Sequence, residues 1–100
     1  MKLEQTLRVT SIRSQNPKGF GGCIFTGKPI DDKGNVQDTA AYYVVTTTGS
    51  VLGKALVQPG QWWQVSGEAA ERLLDVNGYQ VSEWQIDATR ALLLRPSGEH

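Results

Sequence analysis

The sequence predicts an all-β fold, a closed or nearly closed antiparallel barrel or a small sandwich of five or six short strands. Apolar residues recur with the two-residue period of half-buried strands. Clusters of Gly, Pro, Asn and Asp separate these stretches at short intervals, and no stretch has the length and period of a long helix. One hundred residues suffice for a single domain with one core.

The first half of the chain carries three predicted strands. Residues 5–13 alternate between apolar and polar side chains, with a slip before Ile12, and residues 21–27 form a short apolar run bounded by glycines. Residues 14–19 are dense in turn formers and predict a loop between them. Residues 31–35 are a polar turn, after which residues 41–48, rich in Tyr, Val and Thr, complete a hairpin.

The second half predicts strands at residues 51–57 and 62–67, separated by a turn at Pro59-Gly60. Residues 68–74 are ambiguous, and the helical spacing of their apolar side chains favours one or two helical turns. Asn77-Gly78 is a strong hairpin signal because a type I′ turn needs positive φ at both positions. Residues 79–88 predict the last long strand, with a change of face near its middle, and residues 91–94 add a short apolar segment.

We expect one barrel over residues 1–95, with residues 96–100 starting a linker to a further domain. Pro96 and Gly98 follow the last apolar segment, and this composition is typical of a linker. The sequence alone therefore predicts a single folded unit that belongs to a longer chain.

Composition excludes several classes of protein. Ten basic and ten acidic side chains cancel, so the chain lacks the strong positive charge of many nucleic-acid binders, although residues 1–54 carry seven Lys/Arg against four Asp/Glu. Cys23 is the only cysteine, which excludes an intrachain disulfide and a Cys-rich zinc site and favours a cytoplasmic protein. No apolar run reaches the roughly 20 residues of a membrane helix.

Catalytic constellations are not visible in the sequence. His100 is the sole histidine and stands at a terminus, and Cys23 lies in an apolar strand where a buried, inert thiol is the more common situation. Asp31 and Asp32 are adjacent, but beside Lys33-Gly34 they are typical of a solvated turn. We therefore predict a binding module with no enzymatic activity, metal or cofactor.

Residues 57–67, VQPGQWWQVSG, together with the hairpin that follows, resemble the V-x-P-G-x-x-W-x-V-x-G stretch of the OB-fold domains that precede RecD-like, superfamily 1 helicases. The tail at residues 94–99, LRPSGE, also resembles the strand exit toward the rest of such a helicase. The resemblance implies an OB-like barrel that contacts single-stranded DNA for an ATP-driven motor. The motor is not in this sequence, since no G-x-x-x-x-G-K-[ST] loop occurs.

Exposed rings and cations are the candidate DNA contacts. A base stacks on an exposed ring without sequence readout, and adjacent residues of a strand point to opposite faces, so one ring of Trp62/Trp63 and one of Tyr42/Tyr43 should be available. Which tryptophan is exposed stays open. The candidate nucleic-acid-binding residues are Arg8, Arg13, Lys18, Phe20, Lys28, Tyr43 and Trp63.

A second hypothesis is a docking module whose exposed rings contact the helicase motor domain or another protein, which the neutral net charge would suit. The position of the exposed rings relative to Arg8, Arg13 and Lys18 discriminates between the two. Rings that lie beside the cations favour DNA, and rings that lie apart from them favour docking.

Overall fold

The computed structural model describes residues 1–15, 22–37, 42–52 and 55–96. It contains five strands and one short helix among these residues. The strands are β1 (Lys2–Gln15), β2 (Cys23–Pro29), β3 (Tyr42–Thr47), β4 (Trp62–Val76) and β5 (Tyr79–Arg95), and the helix is α1 (Gly49–Leu52). The predicted loop contacts Lys18 and Phe20, and residues 97–100 of the predicted linker, lie outside the described residues.

The five strands close into a barrel in the order β1-β2-β3-β5-β4, and β4 returns to β1. Strand β1 is long enough to serve both neighbours, because Lys2 to Arg8 pair with β4 and Leu7 to Gln15 pair with β2. The prediction of a small all-β barrel is confirmed, and the architecture is that of a small OB-like barrel.

One feature of the predicted sheet is wrong: the barrel is not wholly antiparallel. Strands β3 and β5 run parallel, with Tyr42 opposite Glu83 and Thr46 opposite Asp87. A parallel pair needs a long crossover connection. Here α1 and the whole of β4 lie between the two strands in sequence, so the chain can return to β3 in the same direction.

The core consists of the inward residues of all five strands. Leu7, Phe25, Val45, Val65 and Ile86 are at most 1% exposed. Each comes from a different strand, so a single apolar centre holds the barrel closed. At about 25 cal/mol per Å² of buried apolar surface, side chains of this size each contribute about 1.5–3 kcal/mol before entropy is counted.

Two of the predicted elements are corrected by the structure. The strand predicted over residues 51–57 is not found in the part of it that the structure describes: Val51 and Leu52 belong to α1, and residues 55–57 form no regular element. Residues 68–74 are not helical but continue β4, where every residue from Glu68 to Leu74 has a partner on β5. Helix propensity differs by less than a kilocalorie per residue among ordinary side chains, so a continuous hydrogen-bonded ladder outweighs it.

The predicted turns at residues 77–78 and 58–61 are confirmed. Asn77 and Gly78 both have positive φ, 52° and 83°, as a type I′ turn requires. In the turn at Pro59-Gly60, the backbone N–H of Gln61 donates to the carbonyl of Gln58. The side-chain oxygen of the buried Gln61 then accepts from the indole N–H of Trp63 at 2.9 Å, so this turn also satisfies a polar group inside the barrel.

The slip predicted in the first strand is present as two irregularities in the β1–β2 register, between Val9 and Ser11 and between Ile12 and Ser14. Ser14 and Gln15, expected in a loop, instead complete β1. The Gln15 side chain binds both the N–H and the carbonyl of Val57, at 2.7 and 2.9 Å, and so ties the segment before β4 to the end of β1. The only described helix is too short to cross a membrane.

Candidate nucleic-acid interface

An outward-facing row of side chains crosses four neighbouring strands. Lys28 of β2 is opposite Arg8 of β1, Arg8 is opposite Trp62 of β4, and Trp62 is opposite Arg95 of β5. Directly opposed residues share a face of the sheet. Since strands lie about 4.8 Å apart, the row extends over about 14 Å perpendicular to the strands. We call these four residues the cationic row.

The burial of neighbouring residues fixes the side on which the cationic row lies. Leu7 and Trp63, each adjacent in sequence to a member of the row, are buried in the core, whereas Arg8 and Trp62 are half-buried and Arg95 is exposed. Adjacent residues of a strand point to opposite faces. The row therefore lies on the outer surface of the barrel and places three basic side chains around one aromatic ring.

An uncharged row separates the cationic row from the next charged side chains on this face of β1, β4 and β5. The next outward row along β1, β4 and β5 consists of uncharged side chains, Thr6, Gln64 and Leu92. It lies about 6.6 Å away along the strands. Beyond it along the strands lie side chains of both signs, Glu4 and Arg90 and then Lys2 and Glu68, and the acidic Asp31 and Asp32 belong to the loop whose Gly34 borders Trp62. The cationic row is therefore a local concentration of basic side chains on a chain of zero net charge.

Trp62 and Arg95 are in direct contact. The Arg95 guanidinium carbon lies 3.9 Å from the centroid of the Trp62 ring, which is a cation–π geometry. The backbone of Gly34, in the loop after β2, lies beside the outer edge of the same ring, where a β-carbon would be 3.5 Å from Cη2. The ring is thus held in place while part of it faces solvent.

A second cluster lies on the outer face of β3, β4 and β5. The buried carboxylate of Glu83 accepts hydrogen bonds from the Tyr42 hydroxyl at 2.7 Å, from Arg72 at 2.9 Å and from the Gln85 amide at 3.0 Å. The bond from Tyr42, followed by those from Gln85 and the charge of Arg72, lowers the pKa of Glu83. The same bond to Glu83 raises the pKa of Tyr42. Because its donors all come from within the sheet, we interpret this Glu83 cluster as structural.

Arg13 belongs to this second cluster and not to the cationic row. Its exposed side chain lies near the Tyr42 hydroxyl, and its positive charge lowers the pKa of Tyr42, against the larger rise caused by Glu83. It therefore sits close to the carboxylate of Glu83, which partly offsets its positive charge toward a phosphate. Of the predicted basic contacts, the structure brings Arg8 and Lys28 together and places Arg13 apart from them.

The two predicted aromatic contacts are both directed inward. Trp63 is 3% exposed and belongs to the core, so the expectation that its ring stacks on a base is corrected: it is Trp62 that lies at the surface. Tyr43 is half-buried and packs on the core, with its ring stacked on Trp84 at a centroid distance of 6.4 Å. Burial raises the pKa of the Tyr43 hydroxyl.

Sequence reasoning missed Arg95. Counting back from the two-residue turn at Asn77-Gly78 places Leu93 opposite Trp62. Two irregularities in the β4–β5 register, next to Gly67 and next to Trp63, shift the partner to Arg95. Such bulges add one unpaired residue each. Only Gly67 hints at one of them in the sequence, because glycine within a strand often marks a bulge.

The remaining polar candidates have structural partners. Both carboxylate oxygens of Asp31 are used inside its own loop: Oδ1 accepts from the backbone of Lys33 and Asn35, and Oδ2 accepts from Gln37. These bonds, led by that from Asn35, lower the pKa of Asp31. Cys23 is buried, and burial raises the pKa of its thiol. Within the described ranges no three His, Cys, Asp or Glu side chains converge on a possible metal position.

Comparisons of the chain with models of protein families, with curated proteins and with solved structures give no match.

Proposed function

We propose that this chain is a non-catalytic module that binds single-stranded DNA along the cationic row. The observation that carries the proposal is the register itself, which places Lys28 and Arg8 on one side of the half-buried Trp62 and Arg95 on the other. Proteins that bind single strands without sequence preference combine a positive track for the backbone with a ring on which a base stacks. The cationic row supplies both within about 14 Å.

The position of the ring relative to the cations favours DNA over docking. Trp62 is the direct cross-strand neighbour of Arg8, and its ring contacts Arg95. The row lies on the outer surface of β2, β1, β4 and β5. It therefore shares only β2 with the face formed by β2 and β3, on which OB folds commonly bind oligonucleotides. The outer face of β3 and β5 holds the buried carboxylate of Glu83, which is unfavourable for phosphate.

The resemblance to domains that precede RecD-like helicases gives this activity a context. As an accessory domain of such a protein, the barrel would hold single-stranded DNA for the ATP-dependent motor of the parent chain. This context rests on residues 57–67 and on the OB-like barrel, and the cationic row adds a surface suited to it.

Fluorescence anisotropy with a labelled oligo-dT, in a series of salt concentrations, tests the proposal. We expect binding by the unaltered chain at low salt, with affinity falling as salt increases because counterions are released from phosphate. Arg8→Ala should reduce the slope of log K against log salt by about 0.7, the value for one phosphate contact on a single strand. Arg90→Ala, on the outer face of β5 but away from the row, is the matched control and should leave the slope unchanged.

Absence of binding at tens of micromolar protein in low salt would contradict the proposal. Equal slopes for Arg8→Ala and Arg90→Ala would move the DNA contact to another surface.

A second candidate function, docking to the helicase motor domain or to another protein, is favoured by the end of the β4–β5 hairpin. Here Val76 and Tyr79, direct partners that share a face of the hairpin, are 48% and 76% exposed, and Leu73 on the opposite face is 61% exposed. Exposed apolar groups of this kind mark contact surfaces, and the neighbouring Glu71 and Asp75 make the tip unsuited to phosphate. Tyr79→Ser should weaken association with a separately produced motor domain in calorimetric titration while leaving oligo-dT binding intact.

A further inference from the structure

We propose that Arg95 covers the ring of Trp62 in the free protein and moves to a phosphate when a single strand binds, so that a base takes its place on the ring. This inference rests on the proposed function and defines how the cationic row changes on binding. It assigns Arg95 a regulatory part in the site, because the same side chain first occupies the stacking surface and then holds the backbone of the ligand.

The first step of the argument is spatial. At 3.9 Å from the ring centroid, the guanidinium carbon is in van der Waals contact with the ring. Non-bonded carbon atoms approach to about 3.5–4.0 Å, so no base fits between them. Arg95 is itself exposed, so the ring face that it covers becomes open to solvent once the guanidinium leaves. A base that stacks on this face must displace Arg95.

The second step concerns the balance of contacts. A cation–π contact at an exposed site is weaker than the stacking of a base on an aromatic ring, so the exchange favours the base. The displaced guanidinium stays in solvent and keeps its charge at no desolvation cost. Its planar fork is well suited to phosphate oxygens. Arg95 is on the strand next to Trp62, so a phosphate of the stacked nucleotide lies within reach of its side chain.

The third step separates Arg95 from Arg8. Both residues flank Trp62 from neighbouring strands, but only Arg95 contacts the ring among the described aromatic and cationic pairs. Removal of Arg8 therefore costs a phosphate contact and leaves the contact of Arg95 with the Trp62 ring in place. Removal of Arg95 costs a phosphate contact and at the same time uncovers the ring, and the two effects respond differently to salt.

Oligo-dT binding across a salt series, measured on the 100-residue chain and its Arg95→Ala variant, tests the exchange. At low salt the variant should bind more weakly, because it lacks one phosphate contact. At high salt that contact is screened, and the variant should bind about two- to fivefold more tightly, the factor that corresponds to an exposed cation–π contact. The two plots of log K against log salt should therefore cross.

Two further variants serve as controls. At high salt, Trp62→Leu/Arg95→Ala should bind oligo-dT no more tightly than Trp62→Leu, because no ring remains to be uncovered. Arg8→Ala should give a smaller slope without any gain at high salt. Direct observation comes from the side-chain N–H resonance of Arg95 by NMR, which ring current should shift upfield in the free protein but not in Trp62→Leu. Saturating oligo-dT should abolish that upfield shift.

An Arg95 resonance that keeps its upfield shift at saturation overturns the exchange, as do salt plots of Arg95→Ala and the unaltered chain that never cross. Both results leave the proposed DNA binding in place. Failure of the unaltered chain to bind oligo-dT at low salt is a different result, which overturns the proposed function and this inference together.

Discussion

The hydroxyl of Tyr42 donates a 2.7 Å hydrogen bond to Oε2 of Glu83, and the two residues are direct partners on the parallel strands β3 and β5. This is the ladder in which the barrel departs from an antiparallel sheet. The bond joins strands that are far apart in sequence and satisfies a carboxylate that is only 3% exposed.

Tyr42→Phe should lower the free energy of unfolding by about 1.5–3 kcal/mol, the contribution of a hydrogen bond to a charged group. Denaturant unfolding followed by tryptophan fluorescence measures the change. Tyr43→Phe is the matched control on the adjacent residue, whose hydroxyl has no hydrogen bond to the described part of the chain. Equal effects of the two substitutions would show that the Tyr42–Glu83 bond does not stabilise the barrel.

Glu83→Gln should remove part of the dependence of stability on pH. The folded pKa of Glu83 lies below its ordinary value, mainly because of the bond from Tyr42, so its stabilisation is complete above the unfolded pKa of about 4.3 and is lost as pH falls through the folded pKa. The difference in unfolding free energy between the two proteins should thus be largest near neutral pH and shrink below about pH 4. A difference that stays constant from neutral pH down to about pH 3 would contradict this.

Trp63→Ala and Trp62→Ala should separate folding from binding. The first removes a core side chain and should cost about 3–5 kcal/mol, a large share of the stability of a small domain. The second removes a surface ring: it should cost much less stability but weaken oligo-dT binding by about 1–3 kcal/mol with the salt slope nearly unchanged. Thermal melting and anisotropy check the pair, and a Trp62→Ala variant with undiminished binding would exclude the ring as the stacking surface.

Gly67→Ala should destabilise the barrel more than Gly78→Ala. A β-carbon at Gly67 would overlap the carbonyl oxygen of Asp87 on the neighbouring strand, so the β4–β5 bulge would have to move, at a cost of about 1–3 kcal/mol or more. At Gly78 nothing lies within 4 Å, and only the strain of a positive φ remains, about 1–2 kcal/mol. Chemical unfolding of both variants measures the difference, and the reverse order would show that the close approach of Gly67 to Asp87 is not a rigid contact.

Local signals in the sequence predicted much of the barrel. The alternation around Leu7 and Val9, and the turn at Asn77-Gly78, each depend on neighbouring residues only, and both are confirmed. The helical spacing of Ala69, Ala70 and Leu73 misled because the partner strand that overrides it comes later in the chain. The parallel pairing of β3 with β5 has no local signature at all.

The candidate site was predictable only in part, for a related reason. Arg8 could be named because it lies in the first predicted strand, and Lys28 because it directly follows the second strand, predicted over residues 21–27 and observed over Cys23–Pro29. Assigning the surface ring to Trp62, and finding Arg95, required the register of β4 against both its neighbours. Register in turn depends on bulges, which shift every later pair by one residue.

The long β4–β5 hairpin also has a consequence for the order of events in folding. Its ladder begins at a two-residue turn, so the first pairs to form join residues that are very close in sequence. Hairpins of this kind form within about 1–10 μs. The β1–β4 ladder joins residues such as Lys2 and Glu68, and closing so long a loop is slow. We expect substitutions near Asn77 to change mainly the refolding rate if this hairpin is the nucleus. Substitutions in the β1–β4 ladder should then mainly accelerate unfolding, because this ladder forms after the rate-limiting step and closes the barrel last.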